Sequence, residues 1–146
     1  PGIDPIIHCI KWLRDNEGYS PDYVGLFQCT SPLRTYEQID QAIRDLYAAK
    51  GDSIVSVCES EVSPHWMKKI QSGELRNYIR QDLPVIYRLN GAIYIAKTDR
   101  LMEFGNWYTD DTLPFIMDRY TSIDIDDDFD FKLVEFLILE GNEDGV

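Results

Sequence analysis

At 146 residues, 44% of them hydrophobic and 12% aromatic, the chain has the size of one ordinary domain and is too short for two. Fourteen Lys and Arg against 26 Asp and Glu give a formal charge of -12, which repels phosphate backbones and anionic headgroups and argues against nucleic-acid and membrane-surface binding. An anionic ligand would need a locally basic site or a metal.

Cys9, Cys29 and Cys58 lie in apolar stretches, form no C-x-x-C spacing and make no even set, which points to a reduced, cytoplasmic protein. No run approaches the roughly 20 apolar residues of a membrane helix, and the N-terminus lacks the layout of a secretion signal. No repeat, low-complexity tract or linker divides the chain, so residues 1–146 are read as a single domain.

In chain order, Asp4-Pro5 has the form of an N-cap with proline at the first helical position. Ile6, Cys9, Ile10 and Leu13 follow at helical spacing, with an end expected by Asn16 to Gly18. Tyr23 to Cys29 reads as a strand buried on both faces. Thr35 with Gln38 makes a capping-box pattern, and Ile39, Ala42, Ile43, Leu46 and Tyr47 mark one face of a helix that Gly51 would stop. Ser53 to Cys58 reads as a second buried strand. Strand, helix and strand with short links predict a right-handed crossover and an α/β sandwich, a mostly parallel sheet flanked by helices.

From Glu59 to Asp82 the pattern is polar and irregular, and Pro64, Trp66 and Gly73 suggest an excursion such as a hairpin or dimerisation arm. Val85 to Ala96 returns to strand composition, broken at Asn90-Gly91. That dipeptide is either a tight hairpin turn or a place where backbone approaches a ligand. Arg88, Asn90 and Tyr94 would share one strand face by the period of two. Phe129, Leu133, Phe136 and Leu137 form the stripe of an amphipathic C-terminal helix. Residues 121 to 146 hold nine acidic groups and one Lys, so a net -8 of the -12 is local to this end.

The acidic run Asp124 to Asp130 admits three readings. It can cap the helix and favour the positive end of its dipole. Asp124, Asp126, Asp128, Asp130 and Glu135 fall on calcium-loop positions, but Phe129 stands where that loop needs glycine. In Ser122-Ile123-Asp124-Ile125-Asp126, alternation along an extended segment would present Asp124 and Asp126 to one side, a pair of hard ligands suited to Mg²⁺ on a nucleotide. Gln28-Cys29-Thr30-Ser31-Pro32-Leu33-Arg34 links a strand end to a helix, and ligands of open α/β sheets bind beyond such ends. Gln28, Thr30, Ser31 and Arg34 are therefore binding candidates, against a plain turn around Pro32.

Thr-Ser-Pro-Leu-Arg at 30–34, Arg-Leu-Asn-Gly-Ala-Ile-Tyr-Ile at 88–95 and Ser-Ile-Asp-Ile-Asp at 122–126, in this order and spacing, resemble the acylneuraminate cytidylyltransferases. These are the CMP-sialic acid synthetases with their legionaminate and pseudaminate relatives. The resemblance implies a Rossmann-like α/β fold, usually a homodimer, that joins CTP and a nine-carbon acidic sugar into a CMP-sugar with Mg²⁺ and releases pyrophosphate. It assigns the metal to Asp124 and Asp126, and the sugar pocket to Gln28, Arg80, Arg88, Asn90 and Tyr94. Arg80 would meet the sugar carboxylate, and Trp107 and Tyr108 would surround the acyl group.

Cys29 departs from the proline usual in the family's Gln-Pro-Thr-Ser-Pro. The glycine-rich basic loop that opens family members and holds the CTP phosphates has no counterpart in the chain. The resemblance thus covers roughly the C-terminal two-thirds of a member and implies that the isolated chain lacks activity without that loop. Two other readings stay open: a non-catalytic remnant or dimerisation module of the same fold, with residues 59–82 as its functional part, and a sugar-nucleotide pyrophosphorylase using another nucleotide.

Overall fold

A computed structural model describes residues 2–63, 67–77 and 85–143. Its elements are α1 (Asp4–Glu17), β1 (Tyr23–Leu26), α2 (Tyr36–Ala49), β2 (Ser53–Glu59), β3 (Lys68–Gln71), β4 (Glu74–Asn77), β5 (Tyr87–Lys97), α3 (Thr98–Phe104), β6 (Thr112–Ile116) and α4 (Asp128–Glu143). Pro64, Trp66 and Arg80 lie outside the described residues.

The α/β class holds, with a correction to the sheet. The strand order is β1-β5-β2-β6. β5 runs antiparallel to both β1 and β2, and only β2 and β6 pair in parallel. The sheet is therefore mixed. β1 and β2 do run the same way around α2, but the crossover spans one strand position that β5 fills. Sequence patterning cannot reveal this, because a central strand is apolar on both faces whichever way its neighbours run.

Two clusters cover the faces of this sheet. One joins Ala42 and Leu46 of α2 to Ile54, Ala92, Ile93, Ile95, Phe115 and Met117. The other joins Ile10 of α1 to Val55, Ala96, Leu101 and Trp107. Each helix thus covers one face through its apolar stripe, the arrangement that removes most apolar area from water.

Several local expectations hold. Thr35 and Gln38 form the reciprocal capping box, Thr35 Oγ1 accepting from Gln38 N at 3.3 Å and Gln38 Oε1 from Thr35 N at 2.9 Å. Within the 59–82 excursion, β3 and β4 make a two-stranded hairpin. Ser72 and Gly73 both adopt positive φ, 54° and 80°, as a tight two-residue turn requires.

Others need correction. Ile3, not Asp4, holds the N-cap position of α1: the Ile3 carbonyl accepts from Ile6 N and Ile7 N, both at 3.1 Å, so Asp4 is already helical. Lys50 rather than Gly51 takes the left-handed C-cap of α2, at φ 55°. Gly51 is buried, and a Cβ there would meet Leu113 Cδ1 at 3.0 Å. β1 is a short edge strand of alternating exposure, not a doubly buried one. The chain leaves it at Phe27, whose ring folds back over Gly25. On α4, Phe129 is 74% exposed and Phe136 55%, while Val134 is the buried residue. The helix forms, but of the expected stripe Phe129, Leu133 and Phe136 are exposed and Leu137 is only partly buried, so that face stays largely at the surface.

Candidate functional site

The centre of β5 is bulged, and the bulge builds the site. Val55 pairs with Tyr94 and Val57 with Leu89, so five positions of β5 span two of β2. Gly91 allows it at φ 75°, a conformation that L side chains rarely adopt. Asn90-Gly91 is thus no hairpin turn, since the strand continues through it. The odd count also reverses the side-chain alternation. Arg88 and Asn90 share the face of Cys58 and Ser56, whereas Tyr94 lies on the opposite face against Trp107, with ring centroids 5.6 Å apart. The period of two that would align all three fails at the bulge.

Buried polar groups hold the bulge in place. Ser56 Oγ donates to Asn90 Oδ1 at 2.5 Å and accepts from Ile93 N at 2.7 Å. Asn90 Nδ2 donates to Ser122 Oγ at 2.8 Å and approaches Met117 Sδ at 3.4 Å. Ser56 and Ser122 are fully buried and Asn90 is 1% exposed. Every partner here satisfies a group that would otherwise carry a desolvation cost.

Three side chains converge on the face that glycine leaves bare. A Cβ at residue 91 would stand 2.6 Å from Gln28 Oε1 and 3.3 Å from both Asp124 Oδ2 and Ser31 Oγ. Ser31 Oγ lies within hydrogen-bond distance of Asp124 Oδ1, at 3.1 Å, and of the Asn90 carbonyl, at 3.3 Å. The Ile125 N–H donates to the Thr30 carbonyl at 2.8 Å, which fastens the Asp124 segment to the 28–34 loop. Arg34 serves that loop too. Its guanidinium donates to the Gln28 and Ser31 carbonyls and lies 5.7 Å from the Phe27 ring centroid, and burial lowers its pKa.

Beside this point Gln28, Leu26, Tyr94, Trp107 and Tyr108 line a cleft of about 460 Å³. Gly105, at φ 59°, caps α3 and turns the chain so that Trp107 and Tyr108 reach it. Burial, with Tyr108 and Asp124 nearby, pushes the Tyr94 hydroxyl up to about 12. Trp107 is 7% exposed and belongs to the core, while Tyr108 is exposed.

The acidic run divides into parts with different work. Asp127 Oδ1 accepts from Phe129 N and Asp130 N at 2.8 and 3.1 Å, and Asp130 Oδ2 accepts in return from Asp126 N and Asp127 N at 3.0 and 3.2 Å. These two carboxylates cap α4. Asp124 is half-buried at the bulge, and Asp126 is exposed. Among the described residues no three His, Cys, Asp or Glu gather as a metal cluster.

Arg88 is held by a residue that the sequence did not single out. Its Nε and Nη2 each donate to Glu61, at 3.0 Å, and Nη2 also reaches the Ser122 carbonyl at 3.5 Å. This two-pronged bond holds the Glu61 carboxyl down at about 2, with Arg119 adding to it.

The chain is 37% identical over 126 residues to the CMP-N,N'-diacetyllegionaminic acid synthase of Legionella pneumophila, a match covering 80% of this chain and 54% of that protein. It is 31% identical over 114 residues to the N-acylneuraminate cytidylyltransferase of Streptococcus agalactiae, covering 73% of the chain and 28% of that protein. The chain belongs to the acylneuraminate cytidylyltransferase family. A further relative, post-translational flagellin modification protein B of Campylobacter coli, is 32% identical over 139 residues, 89% of the chain and 59% of that protein. No family model matches. The chain spans little more than half the length of the Legionella and Campylobacter coli relatives.

Within this family member, then, Gln28, Ser31 and Asp124 meet at Gly91, Tyr94, Trp107 and Tyr108 line the adjoining cleft with Gln28, and Thr30 contributes through its carbonyl. Asn90 supports the site from below and Arg88 from one side. Ser56, Ser122 and Glu61, which bond to Asn90 and Arg88, are not singled out as candidates by the sequence. Ser56 did leave a signal as a polar residue inside an apolar strand. Glu61 left none, because it is brought to Arg88 only by the pairing of β2 with β5. No helix among the described residues is long and apolar enough to cross a membrane.

Proposed function

We propose that the chain carries the sugar- and metal-binding part of a cytidylyltransferase that transfers CMP from CTP to a nonulosonic acid and releases pyrophosphate, acting as a homodimer. The convergence of Gln28, Ser31 and Asp124 on the bare face of Gly91, at the mouth of an aromatic-lined cleft, supports this reading most strongly.

The donor set fits Mg²⁺. Asp124 Oδ2 faces a place that a Cβ would fill, and its other oxygen is steadied by Ser31. Asp126 adds a second carboxylate from the same segment. Two carboxylates would suit an ion that keeps several waters and takes its remaining oxygens from substrate phosphates. When bound, Mg²⁺ supplies charge that offsets the phosphates and lowers the pKa of the anomeric hydroxyl.

The chain's own residues do the orienting. Gln28 and Tyr94 present polar atoms to the sugar, Trp107 and Tyr108 give the acyl group an apolar wall, and Arg80 meets the sugar carboxylate. Held there, the anomeric hydroxyl attacks the α-phosphorus of CTP in line, its proton passing to solvent water and the new O–P bond forming as the bond to pyrophosphate breaks. Fixed orientation of the two reactants supplies most of the acceleration.

Titration of the chain with N-acetylneuraminate in the presence of Mg²⁺ tests the binding half. Gln28→Ala and Asp124→Ala should each weaken saturable binding at least tenfold. In the full-length protein, Asp126→Ala should nearly abolish CMP-sugar formation from CTP. Unchanged binding in the first pair, or full activity in the last, would reject the assignment.

A further inference from the structure

Glu61 stands outside the cleft, yet it meets Arg88 through both of its carboxylate oxygens at 3.0 Å. Arg88 Nη2 lies 3.5 Å from the Ser122 carbonyl, and Asp124 follows two residues later in the same loop. The hydrogen bond to Glu61 is the main reason that the Arg88 pKa is raised, and the charge of Asp124 adds to it. A guanidinium is a five-donor fork on a long stem that seeks a carboxylate in a two-pronged bond. Two carboxylates therefore compete for Arg88: Glu61, which holds it, and Asp124, which the proposed metal needs.

We infer that Glu61 is a positioning residue that keeps Arg88 from closing onto Asp124 and so keeps the Asp124 carboxylate open to a divalent cation. The inference rests on the metal reading above for its consequence, though not for its geometry. Arg119, with Nε 3.8 Å from Glu61 Oε1, adds its charge at the oxygen that Arg88 Nη2 meets and carries no bond toward Asp124 among the described residues. The same pairing explains why a basic residue can border a cation site. Its charge is already matched, so the field that the cation meets is that of Asp124 and Asp126.

Two measurements on the full 146-residue chain decide it. The first is a double-mutant cycle between Arg88→Met and Asp124→Asn, read by urea unfolding, in the Glu61 background and in Glu61→Gln. Little coupling with Glu61 present, and an attractive coupling worth a several-fold change in the unfolding equilibrium once it is gone, is expected. Equal coupling in both backgrounds overturns the inference. The second is Mn²⁺ titration followed by the electron paramagnetic resonance of free ion. Glu61→Gln should weaken binding about tenfold, and adding Arg88→Met should restore it, whereas a loss that Arg88→Met fails to repair would overturn the inference. An unmutated chain that binds no Mn²⁺ would defeat the metal reading of the preceding section, and the double-mutant cycle would still decide the role of Glu61.

Discussion

Gln28 and Gly91, 63 positions apart in sequence, are so close that any side chain at 91 would place its Cβ 2.6 Å from Gln28 Oε1. The contact is possible only because residue 91 has no side chain, and its φ of 75° suits the same residue. Gly91→Ala should therefore do two separable things. The left-handed backbone should cost about 1–2 kcal/mol in urea-unfolding stability. Since the tip of Gln28 is flexible, the crowding itself should be relieved by swinging that amide away, so sugar affinity should fall by more than the stability loss accounts for. Wild-type sugar affinity in a destabilised Gly91→Ala would show that Gln28 has no role in the cleft.

Asn90 is the keystone of the bulge, with both amide atoms engaged inside the protein. Asn90→Ala removes the acceptor for Ser56 Oγ and the donor to Ser122 Oγ. Leaving such buried groups without partners costs about 1–3 kcal/mol each, partly recovered because serine hydroxyls rotate. Chemical denaturation should show a loss of about 3 kcal/mol. Asn90→Asp should do no better, since a carboxylate cannot donate to Ser122 and brings a charge into a buried site. Near-wild-type stability of either variant would mean that the network is not what holds the strand.

Local chemistry was readable in the sequence, and pairing was not. The capping box at Thr35 and Gln38 and the apolar run of β2 depend on neighbours within four residues, so they appear where the pattern places them. The place of β5 between β1 and β2 depends on partners 28 to 74 positions away in sequence, and the burial of a central strand carries no mark of its direction. The site divides the same way. Motif residues Gln28, Ser31 and Asp124 do meet, but Tyr94 lies on the face opposite to the one that alternation predicts, because the bulge inserts an odd number of residues into the strand. Asp127 and Asp130 look like their neighbour Asp124 in sequence and yet spend their oxygens on the start of α4.

The Glu61–Arg88 pair should leave a signature in acid. In the folded chain Arg88 holds the Glu61 carboxyl down at about 2, against 4.5 without such a partner. A depressed carboxyl contributes stability that is fully present above the ordinary value and is lost as pH falls through the depressed one. Wild-type stability should therefore drop between pH 4.5 and pH 2, and Glu61→Gln should drop less over that window. Because other carboxyls titrate there as well, the difference between the two proteins is the quantity to measure. Parallel curves would show that the pair does not persist in solution.

Tyr94 gives the opposite case at the alkaline end. Burial between the sheet and Trp107, with Tyr108 and Asp124 close by, raises its hydroxyl from 10.0 to about 12. The raised value means that the folded chain retains the proton after the unfolded chain has released it. The stability this provides is complete below pH 10.0 and disappears as pH rises toward 12. Tyr94→Phe should flatten the alkaline fall in unfolding free energy. In the native protein, the ultraviolet absorbance of tyrosinate should show one group titrating later than in Tyr94→Phe. The hydroxyl should stay protonated through the neutral range, which leaves it able to donate a hydrogen bond to a sugar oxygen. Sugar affinity should accordingly be flat from pH 6 to pH 9, and a fall in affinity across that range that vanishes in Tyr94→Phe would show that the phenol ionises there.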